Sequence, residues 1–267
     1  MEIENIPETC SLHSIFLERE VIFDFYFSSD AKSSAITDLL LINDGQDLIT
    51  MNFQKILKEP NAEKEIRSLL CVGIHCGADR KNEYGTAGIL NYKAQGAKAE
   101  LYTRFVLEEL TPFIQKQFSL PDSVKKSFCG FSLGGLSALD IVCNHPNEFS
   151  NVGVFSGSFW WRSVSQDAPD FVEEEHRIMH HEIRNGNYYP WLKFFFEAGE
   201  LDESADRNQN GIIDSIDDTI SLIDELVKKG YDRKKDIYYL QLEDGKHDVT
   251  TWGRAFPAFL EWCFGKK

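Results

Sequence analysis

Short apolar runs alternate with amphipathic stretches along most of this chain. Each run ends at a polar or glycine-containing turn, as residues 39–42 do at Asn43-Asp44-Gly45, and this is typical of buried strands. The stretches between the runs repeat their apolar residues at helical spacing. Strands are predicted over residues 17–28, 39–42, 69–74, 127–129, 152–155, 191–198 and 236–242. Helices are predicted over residues 53–57, 100–117, 133–143, 217–229 and 256–264.

The alternation of strands and helices predicts an α/β fold with a mostly parallel central sheet and helices on both faces. The 267 residues suffice for one large domain, and no repeat or interdomain linker stands out, so residues 1–267 are predicted to form a single domain. Residues 75–95 form a polar stretch too long for a simple connection, and such loops are often functional.

Composition narrows the choice of partners and location. A net charge of −15 without a basic stripe argues against nucleic acid and anionic membranes as partners. The six cysteines show no Cys-x-x-Cys spacing, residues 1–11 carry no secretory signal, and no apolar stretch is long enough to span a bilayer. A cytoplasmic location is therefore predicted.

The stretch with the clearest chemistry, residues 126–136, is predicted to be a strand, a sharp turn and a helix. Ser132 lies between Gly130 and Gly134 in the pattern Gly-x-Ser-x-Gly, which favours a nucleophile elbow. Because glycines lack Cβ atoms, strand and helix can approach closely and the strained turn is tolerated. The pattern alone also fits an ordinary glycine-rich turn.

A serine nucleophile needs a base, and the base needs a carboxylate that orients it. In α/β-hydrolases the acid and then the histidine follow the serine along the chain, each after a late strand. His247 follows the last predicted strand and is the candidate base. Asp202 follows the strand before it and is the candidate acid, with Glu200 and Glu203 as alternatives.

Two backbone N–H groups are expected to bind the oxyanion of the tetrahedral intermediate. Leu133 follows the nucleophile and is predicted to supply the first. The second is predicted to come from the loop after strand 69–74. His75, Cys76 and Gly77 are the candidates there, and Cys76 is taken as the predicted donor although the sequence does not separate the three.

Further motifs lie around these residues. They are Arg80-x-x-Glu83 in the long loop, Phe155-Ser-Gly-Ser-Phe-Trp-Trp161, Glu197-Ala-Gly199, and Gly245-Lys-His247-Asp248 followed by Trp252. With these motifs, residues 39–262 resemble the putative-esterase branch of the α/β-hydrolases, which contains the enterochelin (enterobactin) esterases. The segment that ends at Trp161 is far more specific than the serine pattern alone.

The resemblance implies the α/β-hydrolase fold and a serine hydrolase that cleaves carboxylic esters, with Ser132 as nucleophile and His247 as base. It also implies that Arg80 lies near the active-site mouth and binds substrate, the alternative being an ion pair that fixes the loop. The chain departs from the family in having Lys246 where a glycine is usual. Its negative charge fits poorly with an anionic ferric siderophore, so the expected substrate is broadly a small-molecule ester.

Three tryptophans are predicted to line a substrate pocket: Trp160, Trp161 and Trp252. Aromatic residues in such positions are as often part of the core.

Residues 206–217 match the template of a calcium-binding loop and look like the loop of dockerin-type modules. Oxygen-bearing residues alternate along the segment, and Gly211 provides the sharp turn. The predicted ligands are Asp206, Asn208, Asn210, Ile212 through its carbonyl, Asp214 and Asp217. The alternative is an Asn/Gly-rich turn with Asp217 capping the next helix. Bound calcium is expected to be structural, and no cofactor is expected for catalysis.

The sequence thus predicts a serine esterase that acts through an acyl-enzyme. Three alternatives stay open: a siderophore trilactone esterase, an acyl transferase, and a non-catalytic calcium-dependent binding module on a hydrolase scaffold.

Overall fold

A computed structural model describes residues 7–28, 35–58 and 66–266. Within them, the strands β1 to β8 span, in chain order, Glu8–Ser14, Arg19–Phe27, Asp38–Asn43, Leu69–Ile74, Lys125–Phe131, Asn151–Phe155, Lys193–Leu201 and Ile237–Lys246. They form one sheet in the order β1-β2-β4-β3-β5-β6-β7-β8. β2 is antiparallel to β1 and β4, and the pairs from β4 to β8 are parallel. The prediction of a mostly parallel sheet is confirmed.

Helices cover both faces of this sheet, as predicted. The helices α1 to α9 span Phe53–Lys58, Arg80–Glu83, Ala99–Arg104, Thr111–Gln117, Leu133–Asn144, Glu173–His176, Ile178–Asn185, Asp214–Lys229 and Val249–Phe264. Residues of α1 and α9 join one apolar cluster, whereas residues of α3, α4, α5, α7 and α8 join a second cluster on the opposite face. β3 and β4 are buried along their whole length between the two clusters, which accounts for their continuous apolar runs.

The sequence pattern does not predict β1, because its seven residues are mostly polar. Among the described strands, β1 pairs only with β2, at the edge of the sheet, and most of its side chains are exposed or half-buried. Polar edge strands are common because they discourage pairing with other chains. The first six residues of the chain, which belong to the segment predicted to lack a secretory signal, lie outside the described residues.

Three helices differ from their predicted bounds by more than one residue, and one of them, α8, begins at Asp214 and not at residue 217. A π-helical stretch, Phe105–Leu110, interrupts the predicted helix before β5, just ahead of Pro112, which has no backbone N–H to donate. The last helix begins earlier than predicted, at Val249, because the side chain of Asp248 caps it by accepting the N–H of Thr251 at 2.8 Å. Among the described helices, none combines the length and apolarity needed to cross a membrane.

Candidate active site

Ser132 occupies the turn between β5 and α5. Its φ of 54° and ψ of −121° are strained for a residue with a side chain. A Cβ atom on Gly130 would lie 2.4 Å from the carbonyl oxygen of Gly134, so only glycine lets strand and helix approach this closely. The turn therefore has the geometry of a nucleophile elbow and not of an ordinary glycine-rich turn.

The hydroxyl of Ser132 lies 3.3 Å from that of Ser158, which is buried. The N–H of Ser158 also donates to the Ser132 carbonyl at 3.2 Å. Sequence reasoning did not single out Ser158 as a site residue, although it lies in the specific segment before Trp161. The hydrogen bond from Ser132 to His247 stays a prediction.

The parallel pairing of β7 and β8 brings the candidate base and acid to the same edge of the sheet. Leu201 at the end of β7 pairs with Lys246 at the end of β8. Asp202 follows Leu201 in the sequence, and His247 follows Lys246. Desolvation lowers the pKa of His247, while the charge of Asp202 raises it and that of Arg80 lowers it further. The net lowering favours the neutral imidazole at neutral pH, which is the form a general base needs.

Among the three carboxylates at the end of β7 and just after it, the contacts favour Asp202 as the acid. Its Oδ2 accepts the N–H of Gly199 at 3.2 Å, and its charge acts on His247. Glu200 and Glu203 are both exposed, and Glu200 is bonded to a side chain of β8 at 2.8 Å.

The oxyanion donors are only partly placed where the sequence predicts them. Leu133 is the first residue of α5 and stays the predicted first donor. The N–H of Cys76 already donates to Oε1 of Gln46 at 3.1 Å. Moreover, β3 and not β4 is the neighbour of β5, so the loop after β3 adjoins the elbow: a Cβ on Gly134 would lie 2.5 Å from Oδ2 of Asp44. The choice of Cys76 is therefore not supported, and the second donor is expected in the loop after β3.

Of the two roles that the sequence left open for Arg80, the structure shows the ion pair. Its Nε and Nη2 each lie 2.7 Å from a carboxylate oxygen of the buried Asp44, and its guanidinium lies 5.1 Å from the centre of the Tyr84 ring. The ion pair that fixes the loop is thus present. Because the charge of Arg80 also acts on His247, the side chain lies near the site, and its contact with substrate stays a prediction.

The three tryptophans have different environments. Trp161 is 1% exposed and fills the space beside Gly85, where a Cβ would lie 2.7 Å from the ring. It is a core residue under the long loop, which corrects its prediction as a pocket residue. Trp252 is 7% exposed, packs edge-on against His247 and donates its indole N–H to Oγ of Ser156 at 2.9 Å. Trp160, 37% exposed, is the one of the three that is open to solvent.

The predicted calcium loop is closed by its own hydrogen bonds. Asp206 accepts the backbone N–H groups of Asn210 and Gly211 at 3.1 and 2.9 Å. The side-chain amides of Asn208 and Asn210 donate to Oδ2 of Asp217 at 2.7 and 2.8 Å. Because calcium takes oxygen ligands, both amides would have to turn over for it to bind. In the described part of the chain, no group of three or more His, Cys, Asp or Glu is placed to hold a metal.

The last residues of the predicted calcium loop, from Asp214 on, form the start of α8. This helix begins at Asp214, so Asp217 lies inside its first turn and does not cap it. Asp214 accepts the backbone N–H of Arg207 at 2.8 Å, and Ile212 is exposed. A cavity of about 820 Å³ opens beside the loop, but no predicted catalytic residue lines it.

Comparison with known proteins shows which family the chain resembles. Residues 14–263 match the model of a family described as putative esterase. The uncharacterized protein YbbA of Bacillus subtilis is 22% identical over 231 residues, which make up 84% of either protein. The iron(III) enterobactin esterase of Dickeya dadantii is 28% identical over 163 residues, which cover 59% of this chain and 34% of that enzyme.

A solved structure resembles the whole chain. The enterobactin esterase FES of Shigella flexneri, crystallised in the presence of enterobactin, matches with a TM-score of 0.72 and 19% identity. The match covers 96% of this chain and 58% of that enzyme, so the chain spans little more than half of its length. Together with the strand order, this likeness establishes the α/β-hydrolase fold.

Proposed function

We propose that Ser132, His247 and Asp202 carry out ester hydrolysis in this chain, which belongs to the putative esterase family and is a carboxylic ester hydrolase. The observation that carries the assignment is the strained turn at Ser132, at the carboxyl end of β5. The carboxyl ends of β7 and β8 bring the acid and the base to the same side of the sheet. The lowered pKa of His247 supports its role as base.

The reaction proceeds through an acyl-enzyme. The oxygen of Ser132 attacks the ester carbonyl while the imidazole of His247 takes its proton, and the N–H of Leu133 binds the oxyanion. Collapse of the tetrahedral intermediate breaks the bond to the alcohol, which leaves with the proton from His247. A water molecule then attacks the acyl carbon while the same imidazole takes its proton. Collapse of the second tetrahedral intermediate releases the acid, and the proton passes from His247 to the oxygen of Ser132. Asp202 orients the ring and stabilises its charged form.

Labelling with a fluorophosphonate probe tests this assignment directly. We expect one equivalent of probe on the peptide that contains Ser132 and none in Ser132→Ala. A non-catalytic calcium-dependent binding module would stay unlabelled. An acyl transferase would be labelled but would pass the acyl group to an added sugar or thiol in preference to water.

The substrate is proposed to be a small-molecule ester. An enterobactin-type trilactone is the narrower alternative, supported by the names of the Dickeya and Shigella enzymes. The net charge of −15 disfavours an anionic ferric complex over a neutral ester. Turnover of ferric enterobactin, compared with a panel of simple esters, separates the two.

Arg80 is proposed to contact the substrate with its guanidinium, and Trp160 to provide an apolar surface. Because removing Arg80 alone leaves the buried Asp44 uncompensated, the variant to use is Arg80→Met with Asp44→Asn. We expect kcat/KM for p-nitrophenyl hemisuccinate relative to the butyrate to fall about tenfold, the equivalent of one charge-assisted hydrogen bond. The exposed pair Arg104–Glu108, replaced by Met and Gln, is the control. An unchanged ratio would leave Arg80 as a loop anchor only.

A structural calcium ion is proposed in the loop 206–217, where the turn at Gly211 and the alternating oxygen-bearing side chains support it. We expect CaCl2, but not MgCl2, to raise Tm by about 5–10 °C at 100 times its Kd. Asp206→Ala should abolish the shift, while Asp170→Ala, exposed and outside the loop, should retain it. A wild-type Tm indifferent to calcium would leave the segment as a hydrogen-bonded turn.

All six cysteines are free thiols, which supports a cytoplasmic location. Neither nucleic acid nor a membrane surface is proposed as a partner.

A further inference from the structure

Glu197 is a buried carboxyl group close to the proposed acid. It lies in β7, between Phe155 of β6 and Leu240 of β8, and is 1% exposed. Neither of its carboxylate oxygens has a hydrogen-bond partner of ordinary geometry among the described residues, and the same holds for Oδ1 of Asp202. A buried polar group without a partner is costly, so this arrangement needs an explanation.

The hydroxyl of Ser156 is the polar group that both carboxyls approach. Ser156 has a φ of 46°, and its hydroxyl oxygen already accepts the indole N–H of Trp252. The hydroxyl proton is therefore free to donate, and it stabilises the charge of Glu197 or of Asp202. A hydroxyl has only one proton, so it satisfies one carboxylate at a time.

Two carboxyl groups that lie close together resist ionising together, because the charge of each disfavours the charge of the other. Asp202 is only half-buried, accepts the N–H of Gly199 and lies beside His247. Glu197 is more deeply buried, and the groups that stabilise its charge are Ser156 and, more weakly, Arg254. Asp202 is therefore the better place for the negative charge, and Glu197 the better place for the proton.

We propose that Glu197 is a positioning residue that holds a proton in the active enzyme and, with the hydroxyl of Ser156, keeps the ionised Asp202 aligned on His247. The inference rests on the proposed function, because it assumes that Asp202 orients the base. Glu197 touches neither the substrate nor the reacting atoms, so its effect passes through Asp202.

The charges around Glu197 agree with this role. Burial, followed by the charge of Asp202, raises the pKa of Glu197 to about 8. The ionisable groups that face it are Asp202 from the loop after β7, Tyr239 from β8 and Arg254 from α9, and Arg254 opposes the rise only weakly. Ionisation of Glu197 would place a second negative charge near Asp202 and repel it. Activity should therefore decline as the pH rises through the pKa of Glu197.

The same shift has a consequence for stability. Because the pKa of Glu197 is higher in the folded than in the unfolded chain, its contribution to stability is complete below about pH 4.5 and is lost as the pH rises to about 8. Replacing Glu197 with glutamine should abolish this part of the pH dependence of unfolding.

The decisive variant is Glu197→Gln, which mimics the protonated form. We expect its kcat/KM for p-nitrophenyl butyrate at pH 7 to be within about threefold of wild type, and its alkaline decline to begin at least about one pH unit higher. Glu243→Gln, an exposed carboxyl of β8, should keep the wild-type profile. In Glu197→Ala, kcat should fall about tenfold or more at unchanged KM, because Asp202 loses its alignment.

An alkaline limb in Glu197→Gln that coincides with that of wild type would overturn the proposal. A purely structural role would lower the Tm of the variants without displacing the pH profile, and this would overturn it too. Failure of the proposed function itself is recognised separately, as hydrolysis that persists in Ser132→Ala.

Discussion

Replacing Ser132 with alanine is expected to lower kcat for p-nitrophenyl butyrate by about five to six orders of magnitude. The substitution removes the atom that forms the acyl-enzyme, and the base then has no alcohol to activate. Alanine keeps the Cβ atom, so the strained backbone of the elbow needs no rearrangement. The measurement is single-turnover hydrolysis at pH 7.5, with the rate of buffer hydrolysis subtracted.

Ser137→Ala serves as the matched control, because Ser137 is a buried serine on α5, the helix that follows the elbow. It should retain close to the wild-type rate. Equal rates in Ser132→Ala and in wild type would exclude Ser132 as the nucleophile, whatever the family of the chain.

Replacing Asp218 with alanine is expected to cost about 3–5 kcal/mol of stability, since breaking a buried ion pair leaves uncompensated charge. Asp218 is 1% exposed and lies among three arginines. Arg177 contacts it at 3.1 Å, Arg162 at 3.7 Å, and Arg207 forms a further ion pair with it. These arginines come from the segment after β6 and from the loop before α8, so Asp218 joins both to the helix.

A loss of this size corresponds to a decrease in Tm on the order of 10 °C for a chain of this length. The control is Asp224→Ala on the same helix, whose pair with Arg233 is exposed on both sides and should contribute no more than about 1 kcal/mol. Thermal unfolding followed by circular dichroism measures both. Similar Tm values for the two variants would show that the arginines find other partners.

Much of the fold follows from local patterns. The apolar runs of β3 and β4 are buried on both faces in the structure, as such runs predict, because strands covered by helices on both sides need no polar face. The elbow at Ser132 is also a local matter. Both the backbone strain at the serine and the close approach of Gly130 to Gly134 involve only the five residues 130–134.

Other features depend on contacts between distant segments. The order of β3, β4 and β5 in the sheet decides which loop lies beside the elbow. Local sequence does not determine that order, because each parallel crossover can place the next strand on either side. Cys76 would suit the oxyanion site only if β4 adjoined β5, and in the sheet β3 takes that place. The partner of Trp161 is a glycine of the long loop, so its burial is a property of the assembled core.

The clearest omission concerns Glu197. A carboxyl inside the apolar run of residues 191–198 is a signal that the sequence offered, because charged side chains are almost never fully buried unless paired. The relation of this carboxyl to Asp202 is not visible without the turn after β7, which folds back over Gly199.

The sequence by itself determined the succession of the strands β2 to β8 and of most helices, the elbow with its serine, and the polar residues that follow the last strands. Those features arise from periodicity and backbone preference over a few neighbouring residues. Only the tertiary structure decided which loop borders the nucleophile, which tryptophan is open to solvent, and that two carboxyls converge behind the histidine. The physical reason is that burial and electrostatic coupling depend on distances between segments far apart in the chain, and those distances exist only once the sheet has formed.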